Sequence, residues 1–257
     1  MKIGISLSGG AARGLAHLGV LAALEELEVP IHQIAGISSG SLVGSFYASG
    51  LSPKRILMIS EKIGVGSLFS LAAFANGGLL SMDSLEELLR KYLQAERYED
   101  LKIPLFVGAT DLKSGNLEVF QSGELVPTVL ASCALPFIFK PVQYRDMVLV
   151  DGGLISTMLV EPLKSACDLL IGVHSNPLDA PGDLNSNLAV LQRSLRLSIH
   201  ANAVNSLPQF DILIEPKELM NFPPHRFDRG AELYEIGYQA TMEQKEEILA
   251  KVQALET

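Results

Sequence analysis

Ala35-Gly36-Ile37-Ser38-Ser39-Gly40-Ser41 is the stretch on which the reading of this chain turns. An apolar run ending in Ile34-Ala35 enters it, and a small-residue segment, Leu42-Val43-Gly44-Ser45-Phe46-Tyr47-Ala48, leaves it. Gly36-Ile37-Ser38-Ser39-Gly40 fits G-x-S-x-G, a pattern with physical meaning only between a strand and a helix. There the middle serine sits on a strained turn, and the two glycines let strand and helix backbones pass without Cβ clashes. Its hydroxyl then stands at the positive end of the helix. A plain Ser/Gly-rich strand-to-helix turn has the same composition. The motif therefore makes Ser38 a candidate nucleophile and leaves its neighbours to decide.

Upstream, Lys2 to Leu7 reads as a buried strand and Ser8 to Gly14 as the turn after it. Leu15 to Leu27 has helical spacing, with Leu18, Leu21, Ala22 and Leu24 on one face, and Pro30 follows before a second strand at Gln33 to Ile37. Strand, glycine-rich turn, helix, strand and serine turn make a βαβ opening with parallel strands. Both glycine-bearing turns then lie at one carboxyl edge of a sheet. The turn Gly9-Gly10-Ala11-Ala12-Arg13-Gly14 exposes backbone N–H groups at a helix start, which suits a negative oxygen. That oxygen belongs either to a phosphate or to a tetrahedral acyl intermediate. A Walker A loop needs Lys after Gly14, where Leu15 stands, and G-x-G-x-x-G fails at Ala11. With Ser38 at the neighbouring turn, the oxyanion reading is the better one.

Downstream, Gly50 closes the serine-turn helix and Pro53 to Ile63 forms another. Val65 to Leu80 is apolar but broken by Gly66, Asn76, Gly77 and Gly78, which fits a buried loop, a short core helix or a flap over an acyl groove. Asp83-x-x-Glu86 reads as a capping box for a helix burying Leu85, Leu88, Leu89 and Leu93. Strands follow at Pro104 to Asp111 and Leu117 to Phe120, then a helix at Val126 to Cys133. A hairpin of Val142 to Tyr144 and Met147 to Val150 runs directly into Asp151-Gly152-Gly153. Asp168 to His174 is a strand, and Asn187 to Leu207 an amphipathic helix with Leu188, Leu191, Leu195 and Ile199 inward. Phe210 to Ile214 is a late strand and Arg229 to Leu255 a long final helix. With no repeat or linker, one domain over residues 1–257 is expected, its helices from 187 to 257 packing on the core.

A net charge of −9 without a long basic block argues against nucleic acid and against polybasic anchoring to anionic lipid. Apolar contact with a membrane or micelle surface stays open. Two cysteines, Cys133 and Cys167, provide neither a disulfide framework nor metal-site spacing. No uninterrupted apolar run reaches the roughly 18–20 residues of a membrane span. The N-terminus turns glycine-rich too soon for a signal peptide, so a cytoplasmic location is expected.

Asp151 closes an apolar strand and is followed by two glycines, so its carboxylate sits where a loop presents it. An Asx turn after a hairpin explains the same residues. So does a base for Ser38, since a serine hydroxyl attacks poorly unless something accepts its proton. Histidine is the usual partner, and the chain has five. His17 and His32 precede Ser38; His174, His200 and His225 follow Asp151, and His174, at a strand end, is the strongest contender among them.

Four motifs now stand in order: Gly9-Gly10-Ala11-Ala12-Arg13-Gly14, Gly36-Ile37-Ser38-Ser39-Gly40, Ala131-Ser132-Cys133-Ala134-Leu135-Pro136 and Asp151-Gly152-Gly153. Together they resemble the patatin-like phospholipases. Arg13 to Leu21 is similar to the short bacterial members, and the likeness covers about Lys2 to Leu170. The resemblance implies a three-layer α/β/α fold with a mainly parallel central sheet. It implies a lipid or small-ester acyl hydrolase working through a Ser–Asp dyad and an acyl-enzyme, with no metal or organic cofactor. By position, Ser38 is the nucleophile and Asp151 its base. Gly9, Gly10, Ala11, Ala12, Arg13 and Gly14 form the oxyanion loop, Gly36, Ser39 and Gly40 shape the elbow, and Gly152 and Gly153 follow the base. Ala11 departs from the pattern by replacing a third glycine, and Leu154 to Met158 replaces the usual Asn-rich, Pro-containing turn. The rival expectation is a non-catalytic regulator that binds lipid or protein on the same fold.

Overall fold

The computed structural model describes residues 1–63, 82–136, 138–178, 180 and 182–255, apart from the side chains of Leu188 and Gln192. Five parallel strands form its spine: β1 (Ile3–Leu7), β2 (Gln33–Ile37), β3 (Leu105–Asp111), β7 (Leu169–Val173) and β8 (Ile212–Ile214). The antiparallel strands β4 (Leu117–Phe120), β5 (Val142–Tyr144) and β6 (Met147–Asp151) complete a mixed sheet, connected in the path β5-β6-β3-β2-β1-β7-β8 with β4 on β3. Alternation along the strands assigns the two faces. Ile3, Ile5 and Leu7 of β1 and Leu169, Ile171 and Val173 of β7 enter the larger core cluster. Ala35, Ile37 and Leu170 enter a smaller one with Met158 to Val160, Leu163 and Phe210.

The larger cluster lies under α1 (Ala16–Glu26), α2 (Ser39–Ala48), α3 (Pro53–Ile63), α4 (Asp83–Tyr92) and α5 (Leu125–Cys133). A short α6 (Glu161–Lys164) covers the other face against β1 and β2. The sheet is thus the middle of three layers. Beyond β7 come α7 (Asn187–Val204), α8 (Gly230–Glu243) and α9 (Lys245–Ala254). α8 crosses α1 at backbone distance: a Cβ on Gly19 would strike the Tyr234 carbonyl, and one on Gly237 the Ala16 carbonyl.

Strand register brings the chemistry to one edge. β4 pairs residues 107–110 of β3, so β2 and β6 share the opposite edge of that strand. β2 leaves it at Ile37↔Gly108, and β6, running the other way, ends at Asp151↔Ala109. The residue after Ile37 and the last residue of β6 therefore meet.

Three expectations need correcting. The long final helix is two, α8 and α9, divided at Gln244 without glycine or proline to announce it. The helix at 83 is capped by Met82, with no side-chain cap, so Asp83 and Glu86 act on its dipole rather than as a capping box. On α7, Leu191 is 45% exposed, while Leu195 and Ile199 are half-buried. The helix is apolar on more than one side, so spacing alone does not choose its inner face. The stretch from Val65 to Leu80, expected as a loop, core helix or flap, lies outside the described residues.

Candidate active site

Ser38 is the hinge between β2 and α2, with φ 52° and ψ −124°. A side chain held at positive φ costs on the order of 1–3 kcal/mol, so the surroundings must enforce it. Enforcement is local and long-range together. A Cβ on Gly36 would lie 2.6 Å from Ser41 Cα, and one on Gly40 would run into the Leu7 carbonyl. Only glycines let α2 start this close to β1 and β2. The Ser38 N–H donates to Ser132 Oγ at 2.8 Å, and that hydroxyl donates to the Gly108 carbonyl at 2.7 Å. The Ser38 carbonyl accepts from Ser41 Oγ at 2.7 Å and from Cys133 Sγ at 3.3 Å. Ser132 and Cys133 thus clamp both sides of the elbow, a role that no spacing in the sequence indicates. The same segment holds the other partner, since the Asp151 N–H donates to the Ala134 carbonyl at 3.0 Å.

Asp151 is buried, and the Ser38 side chain lies near enough to its carboxylate to pull the acid down. Its Oδ1 accepts from the Gly153 N–H at 2.8 Å. Burial pushes the acid up to about 6, against the opposing pull of these two groups. A Cβ on Gly152 would lie 2.6 Å from the Gly108 carbonyl, so the turn after Asp151 passes where only glycine fits. The Leu154–Met158 segment that replaces the expected turn has its own use: the Thr157 carbonyl accepts from the Gly9 N–H at 3.3 Å.

The glycine loop runs beside this pair, and a Cβ on Gly9 would lie 3.2 Å from Ser38 Cβ. Ala11 sits at φ 50°, the left-handed region that a third glycine would occupy without strain. Of the loop's N–H groups, Gly9 is tied to Thr157, Ala12 to the Pro224 carbonyl at 2.9 Å and Arg13 to the Gly10 carbonyl at 3.1 Å. Among the described residues, the N–H groups of Gly10 and Ala11 have no partner. The buried Arg13 side chain donates to the Phe222 carbonyl (2.7 Å), Asn176 Oδ1 (3.1 Å) and the Pro177 carbonyl (3.2 Å), fastening the loop to later segments. Gly14 abuts Ser39, whose buried hydroxyl has no partner among the described residues.

No histidine among the described residues hydrogen-bonds Ser38 or Asp151. His174 follows β7, two strands from Ser38, with Nδ1 2.6 Å from Glu215 Oε1. His17 Nε2 reaches the Ser8 carbonyl at 2.9 Å, and His32 Nδ1 accepts from the Ile3 N–H at 3.0 Å. No group of residues suited to a metal ion exists among those described.

A family model described as "Patatin-like phospholipase" matches residues 5–164, which hold all four motifs. The chain belongs to that family. It is 31% identical over 275 aligned positions to "Lysophospholipase NTE1" of Mycosarcoma maydis, covering 95% of this chain but 15% of that protein. It is likewise 31% identical over 191 residues to an uncharacterized NTE family protein of Mycobacterium bovis, covering 70% of this chain and 50% of the other. The chain therefore spans half or less of these curated relatives. Among solved structures, VipD from Legionella pneumophila superposes with a TM-score of 0.56 at 15% identity, over 96% of this chain and 66% of that one. At that identity the likeness shows a shared patatin-like α/β fold and nothing finer. No helix among the described residues is long and apolar enough to cross a membrane.

Proposed function

We propose that this chain is a serine acyl-ester hydrolase acting on lipid esters through a Ser38–Asp151 dyad. One observation carries the reading: a serine on a strained strand-to-helix turn lies beside a buried carboxylate that it acts on electrostatically, next to two backbone N–H groups without partners among the described residues. The ester carbonyl oxygen sits on the Gly10 and Ala11 N–H groups, which stabilise the charge it acquires. Ser38 attacks the carbonyl carbon, and its proton passes to Asp151. As the tetrahedral intermediate collapses, the alcohol leaves with a proton from Asp151 and an acyl-Ser38 remains. Water, deprotonated by Asp151, then attacks the acyl carbon and releases the fatty acid and free Ser38. A carboxylate raised to about 6 is a stronger base than an exposed aspartate and is still ionised at neutral pH. The engaged N–H groups of Ala12 and Arg13 leave Gly10 and Ala11 as the oxyanion donors. Family membership and the likeness to proteins named lysophospholipase support lipid acyl esters as the substrate class.

Turnover of p-nitrophenyl esters tests this reading. We expect kcat/KM to rise from acetate to hexanoate by up to about 10-fold per two methylenes, and Ser38→Ala to abolish it. A folded wild-type protein without Ser38-dependent turnover would favour the binding-protein alternative.

A further inference from the structure

Behind the glycine loop lies a closed set of buried polar groups that the proposed chemistry leaves unused. Ser8, His17 and Ser175 are fully buried. His17 Nε2 is 2.9 Å from the Ser8 carbonyl and 3.3 Å from Ser175 Oγ. A carbonyl only accepts, so Nε2 carries the proton and Nδ1, which has no partner among the described residues, is bare. Burial lowers the imidazole to about 4, so the ring stays neutral in this arrangement. The Ser175 N–H donates to Ser8 Oγ at 2.8 Å, and the two hydroxyl oxygens are 3.2 Å apart. Both hydroxyls reach one acceptor, the Gly9 carbonyl, Ser8 at 3.0 Å and Ser175 at 3.4 Å.

In a trans peptide the N–H points opposite to the C=O. Binding the Gly9 carbonyl into this cluster therefore turns the Gly10 N–H away from it. Glycine on both sides makes this the peptide of the loop with the least steric resistance to rotation. Rotated by half a turn, it would present a carbonyl oxygen where a negative oxygen has to form. Space points the same way, because a Cβ on Gly10 would strike Ser175 Oγ, so the loop lies directly against the cluster. We propose that Ser8 and Ser175, oriented by His17, are positioning residues that lock the Gly9–Gly10 peptide with its N–H available to the oxyanion. The proposal rests on Ser38 being the nucleophile.

The test compares an ester with its thionoester, in which sulfur, a poor hydrogen-bond acceptor, replaces the carbonyl oxygen. In Ser8→Ala/Ser175→Ala, we expect kcat on the ester to fall about 10- to 100-fold, up to the loss of one oxyanion donor. KM should stay within about threefold, as for an interaction made only in the transition state, and thionoester turnover should fall far less. A purely structural role would lower both substrates equally, because it changes only the fraction of folded enzyme. An unchanged ester-to-thionoester ratio, or wild-type kcat on the ester, overturns the proposal. If the double variant does not fold, Ser8→Ala and Ser175→Ala singly are read by the same ratio, which is independent of enzyme concentration. Wild-type turnover that survives Ser38→Ala would remove the underlying reading, and this proposal with it.

Discussion

Two carboxylates stand at the same edge of the sheet and differ in what their surroundings make of them. Asp151, the last residue of β6, is buried, accepts from the Gly153 N–H and lies near the Ser38 side chain, and burial raises it to about 6. Glu215, after β8, meets the His174 imidazole at 2.6 Å, and that hydrogen bond lowers it below the usual carboxylate range, with His200 and Lys217 adding to the effect. A carboxylate held low by an imidazole is a weak base and a structural partner. One held high by burial, with a hydroxyl as its neighbour, is suited to take that hydroxyl's proton. The strand-end histidine that looked like a catalytic base is committed to the first kind of pair. The second kind needs no histidine.

The contrast is sharpest in turnover. Asp151→Asn keeps the shape and removes the proposed proton acceptor, and kcat should fall by about 10³-fold, within the range for a lost general base. Glu215→Gln should stay within about threefold of wild type. Comparable losses in both would erase the distinction. A smaller effect is read from the pH profile. With Asp151 as the proposed base, the rate requires its ionised form, so log kcat/KM should fall with unit slope, about tenfold per pH unit, below about pH 6. His174→Ala should leave that inflection in place, and its disappearance would assign it to the imidazole.

Stability gives the smallest effect and opposite signs. Asp151 has a folded pKa above its unfolded value, so ionising it disfavours the fold, and this cost develops as pH rises from about 4 to 6. Denaturant unfolding at pH 8 should show Asp151→Asn stabilised by up to about 3 kcal/mol, with the gain vanishing near pH 4. Glu215 has a folded pKa below its unfolded value, so its contribution is present above the unfolded pKa and lost as pH falls through the folded one. Glu215→Gln should therefore destabilise at pH 7, by about 1 kcal/mol for a partly exposed pair. The same sign in both variants would contradict the comparison.

What could be read from sequence alone was what is decided within a few residues. Gly36 and Gly40 flank Ser38 because the backbones of Ser41 and Leu7 leave no room for a Cβ, and the spacing records that constraint. Strand ends and the glycine loop were legible for the same reason. Contacts between distant residues were not. Ser132 reaches Ser38 across 94 positions, and Ser175 reaches Ser8 across 167. Ser132 stood within the third motif, but nothing near it in sequence named Ser38 as its partner, and Ser175 does not differ locally from a surface residue. Gly19 and Gly237, which let α1 and α8 touch, read singly as poor helix formers. Ala11 shows the limit on the other side: its replacement of glycine was visible, but its positive φ depends on the elements that hold the loop.

The most direct test of the dyad is covalent labelling by an alkyl phosphonate ester, followed by mapping of the modified residue. The account predicts an adduct on Ser38, none in Ser38→Ala, a steep loss of labelling rate in Asp151→Asn, and a rate within about threefold of wild type in His174→Ala. A folded His174→Ala protein that fails to label, while Asp151→Asn labels normally, would contradict it and make the imidazole the base.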